Sequence, residues 1–78
     1  MQITYDAQAD AAYVRLGGPI APGEATQQLH SILAPGGGGE IILDFNDAGH
    51  LLGVEVLSAS SVFSPDVITA AVPPESSS

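Results

Sequence analysis

The stretch from Glu40 to Leu57 constrains this chain more than any other. Two runs, Ile41-Ile42-Leu43-Asp44-Phe45 and Leu51-Leu52-Gly53-Val54-Glu55-Val56-Leu57, flank Asn46-Asp47-Ala48-Gly49. Asn and Asp initiate turns and Gly49 supplies a positive φ, so the pattern predicts a β-hairpin. A four-residue loop pairs Phe45 with His50, Leu43 with Leu52 and Ile41 with Val54. One face then carries Ile41, Leu43, Phe45, Leu52, Val54 and Val56. The other carries Asp44 and Glu55, but also Ile42, Leu51 and Leu57. This register sets Glu40 opposite Glu55, a mildly costly like-charge pair, and a bulge at Gly49 would shift it. A solvated sheet face should be polar, whereas this second face is half aliphatic. Either the C-terminal segment or another subunit has to cover it.

The rest of the chain supplies more strands. Ile3-Thr4-Tyr5 is β-branched and aromatic, and Ala12, Val14 and Leu16 alternate with Tyr13 and Arg15. Both read as short strands, joined by a turn over Asp6–Asp10. Three Gly and two Pro make residues 17–23 a loop. A weakly amphipathic third strand follows over Ala25–Ala34, with Leu29 and Leu33 on one parity and His30 and Ile32 on the other. Pro35 and Gly36–Gly39 read as a flexible connection without side chains to pack, and no Lys-Ser/Thr follows to make them a phosphate loop. Residues 58–64 are mostly small and polar. Ser64-Pro65-Asp66 is a helix start, with Ser as N-cap and Pro at the first position, for a helix running to about Ala71. Pro73-Pro74 ends it. The fold class expected is α+β: a small antiparallel sheet of about five short strands, a meander of hairpins, with one short C-terminal helix. One domain spans 1–72, and 73–78 is a disordered tail.

Composition sets which partners are improbable. Six Ile, seven Leu, six Val and two Phe make 21 of 78 residues, more than disordered acidic chains carry, so one small folded domain is expected. The chain has nine acidic residues, no Lys and a single Arg, for a net charge of −8. One arginine makes no basic patch, which argues against nucleic acid and anionic membranes as partners. An acidic surface instead favours a basic protein. Without Cys there is no disulfide, thiolate nucleophile or sulfur-ligated zinc, and no cofactor is implied. The N-terminus lacks the basic start and apolar run of a signal peptide, and no apolar stretch reaches 18 residues, so a cytoplasmic protein is expected.

Two segments together carry a family resemblance. Tyr5-Asp6-x-x-x-Asp10-Ala11-x-Tyr13-Val14-x-Leu16 opens the chain, and Asp44-x-x-x-x-Gly49-x-x-x-Gly53-Val54-Glu55-Val56-Leu57-x-Ala59-Ser60 follows later. Over about residues 1–60 the chain resembles the small prokaryotic proteins grouped as domain of unknown function 2283. It departs from them in carrying Asn46-Asp47-Ala48 where an acidic pair precedes the glycine, and in the glycine loop at 36–39. The resemblance implies a small antiparallel sheet and no defined activity. For some members it implies an antitoxin-like role beside a small basic toxin.

Several constellations bear on chemistry. Asp44-x-Asn46-x-Ala48-Gly49 with Glu55 fits part of a calcium-loop pattern, but Ala48 replaces an oxygen ligand and the flanks read as strands. Asp6, Asp10, Asp44 and Glu55 are candidates for a carboxylate cluster that does acid–base work or holds Mg²⁺ or Ca²⁺. The alternative is structural: Asp6 caps the first turn, Asp10 ends it, and Asp44 and Glu55 are solvated or meet Arg15. His30 and His50 are the imidazoles available to a metal. Ser58, Ser60 and Ser61 are the candidate nucleophiles, without a strained turn or an oxyanion loop to activate them.

Two readings of function follow. The favoured one is a non-enzymatic, acidic, homo-oligomeric interaction module, most simply a dimer, with Tyr13, Ile42, Leu51 and Leu57 as interface candidates and a possible basic protein as second partner. The other is a small metal-binding or acid–base enzyme built on the four carboxylates. Leaving Ile42, Leu51 and Leu57 in water forfeits about 5–8 kcal/mol, comparable to the stability of a small domain. That mismatch predicts a two-fold contact through the sheet.

Overall fold

In the computed structural model, which describes residues 1–74, the chain forms one open five-stranded antiparallel sheet and two short helices. The strands are β1 (Gln2–Asp6), β2 (Ala11–Arg15), β3 (Gln27–Leu33), β4 (Glu40–Phe45) and β5 (Leu51–Leu57), in the order β1-β2-β5-β4-β3. The meander holds from β3 through β5. The β1–β2 hairpin joins it through β2 and β5, so residues 16–26 cross the end of the sheet to reach the far edge. Of the tail expected at 73–78, residues 75–78 lie outside the described residues.

The central hairpin forms with a different register. Leu43 pairs with Val54, Ile41 with Val56 and Glu40 with Leu57, two residues from the expected pairing. This removes the Glu40–Glu55 clash and places Glu55 opposite Ile42. The irregularity that absorbs the shift lies between Asp44 and Phe45, so that Phe45 pairs with Leu51 and Asp44 with Gly53. Cross-strand partners share a face, so Leu51 belongs with Phe45 and not with Ile42. Gly49 does adopt a positive φ of 82°, and Asn46 Oδ1 accepts the His50 N–H at 3.0 Å to close the loop.

Reading the register across the sheet separates its two faces cleanly. Two apolar rows cross all five strands: Ile3, Val14, Val54, Leu43, Leu29 and Tyr5, Ala12, Val56, Ile41, Ile32. Every charged residue on a strand, Asp6, Arg15, Glu40, Asp44 and Glu55, belongs to the opposite face. In β3 the parity expected from sequence is overturned by a bulge. Two residues, His30 and Ser31, stand against Ile42, with Ser31 at φ 63°, so Leu29 and Ile32 share the apolar face and Leu33 falls on the other.

Helices cover only part of the apolar face. A helix absent from the sequence reading, α1 (Ala59–Val62), follows β5 directly, with Ser58 at φ 55° turning the chain. Next comes α2 (Pro65–Ala70), where Pro65 and Asp66 stand as expected and Ser64 accepts through its backbone carbonyl. Ala12, Val56 and Ala59 form the buried centre, and Tyr5, Val54, Val62, Phe63 and Ile68 pack around them. The small side chains of Ala12 and Ala59 let α1 lie close on β2. After α2, Val72 bridges to the outer edge of β1: Tyr5 donates its N–H to the Val72 carbonyl at 2.8 Å, and Val72 donates to Ile3 at 3.0 Å. Nor are the glycines at 36–39 a loose connection. Pro35–Gly37 form a single 3-10 turn, and Gly38 and Gly39 lie against Ser61 and Val62 of α1.

Candidate functional site

The motif residues meet in two tyrosine–carboxylate pairs, one on each face. On the apolar face, at the β1–β2 turn, Tyr5 donates its hydroxyl to Asp10 Oδ1 at 2.7 Å. Asp10 also accepts the Ser60 N–H at 3.0 Å and the Ser60 hydroxyl at 2.7 Å, while its own carbonyl accepts the Ala59 N–H at 2.9 Å. A residue fifty positions earlier therefore caps the first turn of α1, satisfying N–H groups that a helix start leaves unpaired. Asp10 sits at φ 51°, a conformation that Asp tolerates better than most residues. Its neighbour Asp6 turns inward to its own loop, accepting the Gln8 N–H at 3.0 Å.

These bonds favour the charged carboxylate. The Tyr5 hydroxyl first, then the hydroxyl and N–H of Ser60, hold the Asp10 carboxyl below its ordinary value of 3.8, and the same bond to Asp10 raises the Tyr5 hydroxyl. A depressed carboxylate contributes stability above its ordinary pKa and loses it as pH falls through the folded-state value. Asp10→Asn is therefore expected to melt lower than the parent at neutral pH. The gap between the two thermal melts closes as the pH falls below 3.8. A gap that stays constant to low pH would mean the carboxylate charge is not what holds α1.

On the polar face, Tyr13 of β2 lies over Gly53 of β5 and donates its hydroxyl to Asp44 Oδ2 of β4 at 2.9 Å. Gln28 of β3 donates to Asp44 Oδ1 at 2.6 Å, so both carboxylate oxygens are engaged and Asp44 is 8% exposed. Burial first, then the bond to Asp44, and finally the negative charges of Asp44 and Glu55 push the Tyr13 hydroxyl up to about 12. Gly53 is what admits the ring, since any Cβ there would crowd its hydroxyl and outer carbons inside van der Waals contact. A glycine inside a strand of branched residues is a legible sign of close approach, but its partner, forty positions earlier, is not.

Three of the four carboxylates thus hold the fold together in separate places, and the fourth, Glu55, stands apart from them opposite Ile42. Asp6 and Asp10 serve the β1–β2 turn and α1, and Asp44 bonds Tyr13 and Gln28. Arg15 donates to Gln2 at 2.9 Å, not to Asp44 or Glu55 as the sequence suggested. Among the described residues, no three His, Cys, Asp or Glu come together as a metal site. Glu55 stands across the ladder from Ile42, well away from the Asn46–Gly49 loop, so the calcium-loop pattern is a hairpin. His30 sits in the β3 bulge, His50 closes the hairpin loop, and Ser60 bonds to a carboxylate rather than an imidazole.

The interface candidates from sequence do not make one patch. Tyr13 is spent on Asp44, Ile42 is 9% exposed within the single chain, Leu57 shares their face, and Leu51 lies on the other. Exposed apolar surface gathers elsewhere, at the β3 end of the apolar face, where Leu29 is 54% and Ile32 36% exposed. The sequence reading missed this strip because the β3 bulge, which brings the two side chains together, has no marker glycine.

Fold and site define a small antiparallel-sheet protein braced by two tyrosine–carboxylate pairs. The family model described as Protein of unknown function (DUF2283) matches residues 2–60, and the chain belongs to that family. Its matched region contains both tyrosines, both carboxylates, Gly53 and Ser60. No curated protein and no solved structure matches the chain. Among the described residues, no helix is long and apolar enough to cross a membrane.

Proposed function

We propose that this protein is a non-catalytic interaction module that associates with itself and, through its acidic face, with a basic protein partner. The observation that carries the reading is the incomplete cover of the apolar face: two helices shield the β1-β2-β5 side, while Leu29 and Ile32 stand in water. Burying such side chains stabilises by about 1.5–3 kcal/mol each, so association is the economical outcome. Three of the four carboxylates that a catalytic reading needs, Asp6, Asp10 and Asp44, are committed to hydrogen bonds within the fold, which supports a structural role for them. Arrangement of all strand charges on one face, with four acids to one arginine, supports a basic partner there, as an antitoxin-like role for this chain would require.

Sedimentation velocity checks the first half. The expected result at micromolar concentration is a dimer that tightens as salt is added, because screening relieves repulsion between two chains of charge −8. A monomer throughout would overturn it. Titration calorimetry with Ca²⁺, Mg²⁺ and Zn²⁺ tests the enzymatic alternative, and saturable binding lost in Asp44→Asn would favour that alternative instead.

A further inference from the structure

We infer that a second copy of this chain packs face to face on the uncovered β3–β4 strip, making a two-sheet sandwich with both acidic faces outward. The inference deepens the self-association proposed above by naming its surface and geometry, and it rests on that reading. Three observations carry it.

Charge comes first. Residues 25–39 contain no Asp, Glu, Lys or Arg, although the chain as a whole carries −8. The strip they share with β4 is formed by Leu29, Ile32, Ile41 and Leu43, and no charged residue on any strand points to that face. A basic partner finds nothing to pair with there. A second copy finds an identical apolar surface, and stacking these surfaces turns the strand carboxylates of both chains away from each other.

Edges come second. Joining two sheets side by side needs a free, regular edge. The β1 edge is taken by Val72, which hydrogen-bonds to Ile3 and Tyr5. The β3 edge is interrupted by the His30–Ser31 bulge, with Ser31 in a left-handed conformation and its N–H given to Glu40 at 3.2 Å. A bulge of this kind twists an edge away from continuous pairing. The faces are what remain.

Shape comes third. The helices stand on the β1-β2-β5 half and leave the β4–β3 half open, so the apolar face is a step. Two steps related by a two-fold axis parallel to the strands interlock, each open half over the other, at the roughly 10 Å spacing of packed sheets.

Sedimentation equilibrium with Leu29→Glu tests this directly. Two-fold symmetry introduces the charge twice, and the dissociation constant is expected to rise at least about a hundredfold, while Leu33→Gln on the opposite face leaves it within about threefold. Leu29 is more than half exposed, so the variant folds as the parent does, which circular dichroism verifies. Because the chain contains no Cys, single cysteines at 29 or 33 can each carry a spin label. The distance between copies is expected to be shorter from position 29 than from position 33. A dimer that tolerates Leu29→Glu, or whose labels are closer at 33, overturns the face assignment and leaves self-association standing. A parent chain that is monomeric overturns both.

Discussion

Gly53→Ala is expected to cost about 3 kcal/mol of folding stability, lowering the melting temperature by about 10–20 °C. The cause is a single collision. An alanine Cβ at 53 would stand well inside van der Waals contact of the Tyr13 hydroxyl oxygen and outer ring carbons, so the ring must be displaced. Its departure breaks the 2.9 Å bond to Asp44, and a carboxylate that is 8% exposed keeps only Gln28 as side-chain partner. Overpacking alone costs about 1–3 kcal/mol, and an under-satisfied buried acceptor adds a comparable amount. Tyr13→Phe keeps the ring and removes only the bond, so it should cost less. In the double variant with Tyr13→Ala the penalty of Gly53→Ala should nearly vanish, because the ring it strikes is gone. Equal penalties with and without the ring would show that strand propensity, not contact, sets the glycine. The alkaline limb carries the same signature. With its hydroxyl pushed up to about 12, Tyr13 favours the fold up to its ordinary value of 10.0, and that contribution is lost as pH rises toward 12.

Gly39→Ala should be nearly as damaging, at about 2–3 kcal/mol by urea unfolding, whereas Gly37→Ala disturbs only its own turn. A Cβ at 39 would strike Val62 of α1 and come within 2.7 Å of the Leu57 carbonyl. Side chains at helix tips can move, but a carbonyl at the end of β5 cannot without unpicking the β4–β5 ladder. No atom lies within 4 Å of a Cβ at Gly37, whose difficulty is its φ of 74°. Equal effects at 37 and 39 would mean that the loop, and not the seat of α1, is what the glycines serve.

Much of the sheet was legible because alternation is a local property. A strand exposes its faces to sequence reading every second residue, so Ala12, Val14, Tyr13 and Arg15 were assigned to their faces from the letters alone. The hairpin loop was legible for the same reason, since Asn46 and Gly49 act on backbone within a few residues of themselves. Pro65 and Asp66 marked α2 by chemistry confined to one helical turn. Register was not. Shifting β4 against β5 by two residues preserves every face, so hydrophobic pattern could not choose between Glu40 opposite Glu55 and Glu40 opposite Leu57. Two bulges, one in β5 between Leu51 and Gly53 and one in β3 at His30–Ser31, then moved Leu51 and Ile32 to faces that strict alternation denies them.

The candidate site divides along the same line. Composition and charge, which sum over the chain without regard to its path, set the acidic character, the want of a basic patch and the freedom from cysteine chemistry. The motif residues Tyr5, Asp10, Tyr13, Asp44, Gly53 and Ser60 were visible as a pattern. Apart from Tyr5 and Asp10, which face each other across one turn, what they do was decided only in three dimensions, because their partners lie across strands or far along the chain. Asp10 reaches Ser60 across fifty positions and Tyr13 reaches Asp44 across thirty-one. No spacing rule links residues so far apart, and only the strand order that sets β2 beside β5, and β5 beside β4, brings them within a hydrogen bond.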